Sequence, residues 1–141
     1  VQLVVSPNHD GHIVQFGDQI LHISHTANLR PAVERHLRKL STSELTERTL
    51  TLAKLHGLAV KRVTIRNQRS RWGSCSRRGS ISLNWRLIQM PTTVRDYVIL
   101  HELAHTVEHN HSHRFWRLVE QLCPDYKQAR VWIRQHREML R

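Results

Sequence analysis

His101-Glu102-Leu103-Ala104-His105 has the HExxH form. On a helix, side chains four residues apart share a face and lie about 6 Å apart along the axis, so both imidazoles can turn toward one ion. Imidazole nitrogen binds zinc at about 2.0–2.1 Å, and a catalytic zinc takes three protein ligands while leaving a fourth position for water. His111, six residues after His105, is the candidate third ligand. A continuous helix could not aim it at the same ion, so the chain must bend around Glu108 to Asn110, and Asn110 suits a left-handed backbone at that bend. His109 and His113 are neighbours that could replace His111, although both read as solvated surface, and Glu120 is a carboxylate alternative on the following helix. Glu102 points about 100° away from His101, which suits a carboxylate that touches the metal-bound water as general base and not the metal. Glu108, seven residues after His101, can orient a ligand imidazole from behind.

The elements that must position these groups follow from periodicity and turn chemistry. Residues 1–28 alternate apolar and polar positions around Pro7-Asn8-His9-Asp10-Gly11 and Gly17-Asp18, which predicts short antiparallel strands. Val33, Leu37 and Leu40 have helical spacing after Pro31, and Ser41 with Glu44 forms a capping-box pattern. Residues 31–57 are therefore a helical pair or one bent helix ended by Gly57. Val60, Val63 and Ile65 predict a strand, and Ile81, Leu83 and Trp85 a second one that pairs with it after the turn at Arg78-Gly79. After Pro91, with Thr93 as cap and Leu100, Leu103 and Val107 as apolar stripe, a helix carries the HExxH residues. A further helix holds Phe115, Leu118, Val119 and Leu122, and a last one runs from about Tyr126 to the C-terminus. The fold class expected is α+β, a small antiparallel or mixed sheet packed on helices, within a single domain over 1–141.

Composition narrows the setting. At 141 residues the chain can bury an apolar core without staples, and its two cysteines make no disulfide framework. No apolar run approaches the roughly 20 residues that cross a bilayer, and the first residues lack a secretion-signal pattern, so a monomer in a reducing cytoplasm is expected. The 22 Lys plus Arg outnumber the 11 Asp plus Glu, for a net +11. That field favours acidic peptides, nucleotides or nucleic acid. On the final helix Lys127, Arg130, Arg134, Arg137 and Arg141 recur on one face, where a phosphate backbone could dock.

A wider pattern joins these residues. Arg71-Trp72-Gly73-Ser74-Cys75, Ile81 to Asn84, Tyr97 through His105, Asn110-His111-Ser112 with Phe115-Trp116, and Pro124-Asp125-Tyr126 together resemble the YgjP-like family of metal-dependent hydrolases, relatives of SprT-like and WLM zincin domains. The resemblance covers roughly residues 60–135. It implies a zincin-like metallopeptidase fold with the metal on His101, His105 and His111 and the general base at Glu102. The His spacing equals that of metzincins, but Glu108 stands where they have a turn glycine, and no methionine turn follows. For Arg71 to Cys75 two readings compete: Trp72 in the core with Gly73 permitting close backbone approach, or a substrate strand beside the metal with Arg71 or Ser74 contacting substrate. His113 and Tyr126 are further candidates near the substrate. The function expected is zinc-dependent hydrolysis of protein or peptide substrates by activated water. The alternatives are a nucleotide pyrophosphohydrolase or phosphohydrolase, and a nucleic-acid-associated module with a structural zinc.

Overall fold

A computed structural model of the chain describes the backbone of residues 2–5, 12–16, 19–23 and 29–140, and the side chains of residues 30–140. The N-terminal turn signals at 7–11 and 17–18, and Arg141, lie outside the described residues. The chain divides into two compact units, 1–39 and 40–141. In the first, β1 (Gln2–Val5), β2 (His12–Phe16) and β3 (Gln19–Ile23) form an antiparallel sheet with Leu3 opposite Val14 and Val14 opposite Leu21. Helix α1 (Leu29–Leu55) begins there and continues into the second unit.

Continuity of α1 corrects the capping-box reading of Ser41. Ser41 is fully buried mid-helix, and its Oγ donates to the Trp85 carbonyl at 2.7 Å instead of capping a new helix. The S-x-x-E pattern marks a helix start only when the chain before it is not helical. Pro31 sits in the first turn, where its missing N–H costs nothing. Gly57 terminates the helical run with φ of 65°, a backbone that other residues seldom adopt, and Leu58 N–H bonds back to the Ala53 carbonyl at 2.8 Å.

The second unit holds a mixed sheet in the order β4-β6-β5: β4 (Arg62–Arg66), β5 (Gly73–Cys75) and β6 (Ser80–Asn84). The two strands read from sequence do pair, and they run parallel, with Val63 opposite Ile81 and Ile65 opposite Leu83. The short β5 lies antiparallel on the other side of β6 and is an edge strand. Ile81 and Leu83 point into the core at 1% exposure. Trp85, expected as a strand residue, instead opens a 3-10 helix over Trp85–Gln89. Asn84 ends β6 because its side chain accepts from Arg86 N–H at 3.0 Å and so caps that turn.

Helix α2 (Thr92–Ala104) is buried along most of its circumference by Val94, Tyr97, Val98, Ile99, Leu100 and Leu103, because β5, β6, α3 and α4 all pack on it. Its cap is Pro91 and not Thr93, and it stops before Val107, which is more than half exposed. Arg48 ties α1 to α2 by paired bonds to the Asp96 carboxylate at 3.0 and 2.8 Å. Helix α3 (His113–Leu122) buries Phe115 and Val119 and is capped by Ser112, whose Oγ accepts from Phe115 N–H. Helix α4 (Tyr126–Gln135) ends before the C-terminus and gives way to a 3-10 helix over Arg137–Leu140, so the predicted basic stripe is broken at its end. Arg130 is exposed like the described rest of the stripe and also lays its guanidinium 4.5 Å from the centre of the Trp116 ring. The architecture is the expected α+β class with a mixed sheet, and among the described residues no helix is long and apolar enough to cross a membrane.

Candidate metal centre

At the C-terminal end of α2 a cleft opens, and His101, Glu102 and His105 line it. Helix geometry ends at His105, whose backbone N–H still bonds back to Glu102 and Leu103 carbonyls. Val107 and Glu108 N–H groups both reach the Ala104 carbonyl, and Thr106 Oγ1 donates to the Leu103 carbonyl at 2.6 Å. These bonds unwind the chain and return it as far as His111. Asn110 takes no part through a left-handed backbone, because no described non-glycine residue has positive φ. The bend expected at 108–110 is there, but helix termination at 105–108 makes it.

The three imidazoles of His101, His105 and His111 each offer a nitrogen within 4.8 Å of the others. Nε2 of His105 lies 3.1 Å from Nε2 of His111. Two ligands at zinc–nitrogen distances of about 2.0–2.1 Å around a tetrahedral ion stand about 3.3 Å apart, so the pair is spaced to share one ion. The Nδ1 atoms of His105 and His101 are engaged. Nδ1 of His105 pairs with the Glu108 carbonyl oxygen at 3.0 Å, and Nδ1 of His101 lies 3.2 Å from the Tyr97 hydroxyl. With Nδ1–H donating in each case, Nε2 keeps its lone pair, the tautomer a metal ligand needs. Burial, with the neighbouring imidazoles of His105 and His111 and the Arg130 charge, lowers the His101 pKa to about 3. Burial also lowers that of His105, against the hydrogen bond to the Glu108 carbonyl. The donor set therefore fits a divalent ion of borderline softness such as zinc.

Phe115 forms the floor of this cluster. Its ring stacks on His105 at 4.3 Å and meets the edges of His101 and His111, each at 5.0 Å. Trp116 stacks near His111 at 6.0 Å, and Tyr126 stacks on Trp116 in turn at 5.7 Å. Tyr126 thus reaches the imidazoles only through Trp116. Glu102, 7% exposed, makes no hydrogen bond or ion pair to any described residue, and burial pushes its carboxyl up to about 7 while the Arg71 charge pulls it down. Its side chain packs on Gly73, where an added Cβ would stand 3.0 Å from Glu102 Cγ and 3.2 Å from Oε2. Gly73 is the close backbone approach read from sequence, and what approaches it is the candidate base.

The cleft of about 260 Å³ is completed by Arg71, Gly73, Ser74, Cys75, His109 and His111. Arg71 and Ser74 therefore stand beside the imidazoles as the substrate-strand reading requires, while Trp72 is buried as the structural reading requires. Burial raises the Cys75 thiol to about 11, which keeps it protonated. Glu108 serves through its backbone carbonyl and not its carboxylate. His113 is exposed at the start of α3 and does not line the cleft, and Glu120 is exposed and outside the histidine cluster. His109, read as solvated surface, does line it. Tyr97, Phe115, Trp116 and Asn84 had no assigned role in the sequence. All four belong to the motifs that carry the family resemblance, and Tyr97 has a further signal in its place one helical turn before His101.

The family described as YgjP-like, metallopeptidase domain, matches residues 3–136. No curated protein matches the chain. Among solved structures the chain is similar to the crystal structure of the metallopeptidase zymogen of Pyrococcus abyssi abylysin, with 23% identity and a TM-score of 0.56 over 64% of this chain and 93% of that one. At that identity the likeness speaks for a shared zincin-like fold alone. The family match spans almost the entire chain and includes every residue of the histidine cleft, so the chain belongs to the YgjP-like metallopeptidase-domain family.

Proposed function

We propose that the chain is a zinc peptidase in which His101, His105 and His111 hold the metal and Glu102 is the general base. The observation that carries the reading is the convergence of three imidazole nitrogens within 4.8 Å beside a buried carboxylate that bonds to no described residue. Bound there, a divalent ion supplies a Lewis acid that acidifies water and polarises a carbonyl oxygen. Glu102 takes a proton from the attacking water as the peptide carbon is attacked, and delivers it to the amine nitrogen as the C–N bond breaks. Burial raises the proton affinity of this carboxyl, and the positive charge of Arg71, with that of a bound ion, would act in the opposite direction. Tyr97 and the Glu108 carbonyl hold the His101 and His105 rings, and Phe115 closes the site from below. The edge strand β5, with no further strand beside it among the described residues, offers main-chain groups to an extended peptide.

The cytoplasm is the compartment this reading implies, since Cys75 and Cys123 are both free thiols. Zinc-loaded protein should cleave unstructured peptides. Glu102→Gln should keep one metal per chain by elemental analysis yet lose turnover by about 10²–10⁴-fold, the usual share of a general base. Unchanged cleavage by that variant would remove Glu102 from the chemistry. Metal content unaffected by replacing His101, His105 or His111 with Ala would remove the proposed centre.

A further inference from the structure

The charges lining the cleft are one-sided. Among its described lining residues Glu102 is the sole acid, and it is buried, whereas Arg71 stands at the mouth with four histidines behind it. A bound divalent ion adds two further positive charges. Arg71 is also placed with more care than a surface arginine requires. Its carbonyl accepts from Nδ2 of the fully buried Asn84 at 3.1 Å, Asn84 N–H donates to the Trp72 carbonyl at 2.9 Å, and Trp72 itself is buried. The same Nδ2 donates to the Gln68 carbonyl at 2.6 Å, so Asn84 gathers both ends of the segment 68–71. The guanidinium that this anchored backbone carries makes no hydrogen bond or ion pair with any described residue, although it is close enough to Glu102 to influence its charge. Arg48, Arg66, Arg86 and Arg95 are engaged with named partners, and of the described arginines without one Arg71 is the one that lines the histidine cleft.

An exposed guanidinium on an anchored backbone, beside the candidate metal site and with the buried Glu102 as the one acid among the described lining residues, is suited to receive a carboxylate. We infer that Arg71 selects peptides that carry an acidic side chain or a terminal carboxylate next to the scissile bond. The inference rests on the peptidase reading above and adds the substrate class. A neutral or basic residue at that position would leave Arg71 facing no counter-charge, and a lysine would oppose both it and the ion.

The test separates binding from turnover. Fluorescence anisotropy on zinc-loaded Glu102→Gln protein measures affinity for matched peptides that carry Glu, Gln or Lys at each position flanking the scissile bond. At one position the Glu peptide should bind at least tenfold tighter than its Gln counterpart. Adding Arg71→Gln should bring that ratio close to one, Arg71→Lys should keep part of it, and Arg62→Gln, an equal loss of charge on β4, should leave it intact. A ratio that survives Arg71→Gln, or that Arg62→Gln reduces equally, overturns the inference and assigns the preference to the net +11 field. So does an Arg71-dependent affinity for a nucleoside triphosphate with none for acidic peptides. Cleavage of the same peptides by the unaltered protein tests the peptidase reading separately, because acid-selective binding without cleavage condemns that reading alone. Circular dichroism of each variant confirms that it folds.

Discussion

At the residue scale, two contacts only a few atoms wide shape the candidate site. Gly73 and Glu102 touch so closely that a methyl group at residue 73 would stand 3.0 Å from Cγ and 3.2 Å from both Oε2 and the Ser82 carbonyl. The Glu102 side chain can give more readily than the Ser82 backbone, so Gly73→Ala is expected to shift the carboxylate by a few tenths of an ångström. That substitution is expected to cost about 1–3 kcal/mol in denaturant titration, as overpacking does. Turnover should fall at least tenfold while metal stoichiometry is kept, and full activity would mean that Glu102 needs no fixed position. The Tyr97 hydroxyl is the second contact, because it orients His101 through Nδ1 at 3.2 Å. Tyr97→Phe keeps the buried ring and removes only that oxygen. Loss of such a partner typically weakens metal binding by about 10–100-fold. Competition with a chelator measures the change, and an unaltered affinity would show that packing alone holds the ring.

Among elements, α3 matters less for what it presents than for what it supports. Phe115 is fully buried, and its ring is the surface on which all three imidazoles rest. Phe115→Ala should cost about 3–5 kcal/mol by thermal or denaturant unfolding, and metal affinity should drop with it. A stability loss with unchanged affinity would mean that the histidines hold their arrangement without a floor. The sequence announces α3 through the 3.6-residue spacing of Phe115, Val119 and Leu122, and the HExxH segment through its place on a periodic helix. Local patterns of that kind depend on neighbours three or four residues away, and they are legible. What escaped depends on distant partners. Nothing near Ser41 says that its hydroxyl will meet the Trp85 carbonyl 44 residues on, so a local capping pattern suggested a break in α1 that is not there. Asn84 looks like a polar end to a strand, yet it organises the segment that carries Arg71. The parallel pairing of β4 with β6, and the insertion of β5 at the edge, are likewise long-range outcomes that alternation cannot specify.

For the whole molecule, the candidate ligands are spread so that a metal would work as a clamp. His101 and His105 belong to the end of α2, whereas His111 follows the unwound segment that leads into α3. Few bonds hold that segment: turn contacts to Ala104 and Leu103, and the His105 bond to the Glu108 carbonyl. An ion bound to folded protein alone stabilises it by about 2.7 kcal/mol at a free concentration 100 times its Kd. A chain of this size gains about 2–4 °C in Tm per kcal/mol. Chelation should therefore lower Tm by several degrees, and zinc should restore it. All three ligands lie in the unit 40–141, so the gain should be local as well as global. Hydrogen exchange with and without zinc should show added protection strongest over residues 101–115, with little at β1, β2 and β3 in the other unit. Protection rising equally in both units would show that they unfold as one cooperative block. A chelator with no effect on either Tm or exchange would mean that no ion links α2 to α3.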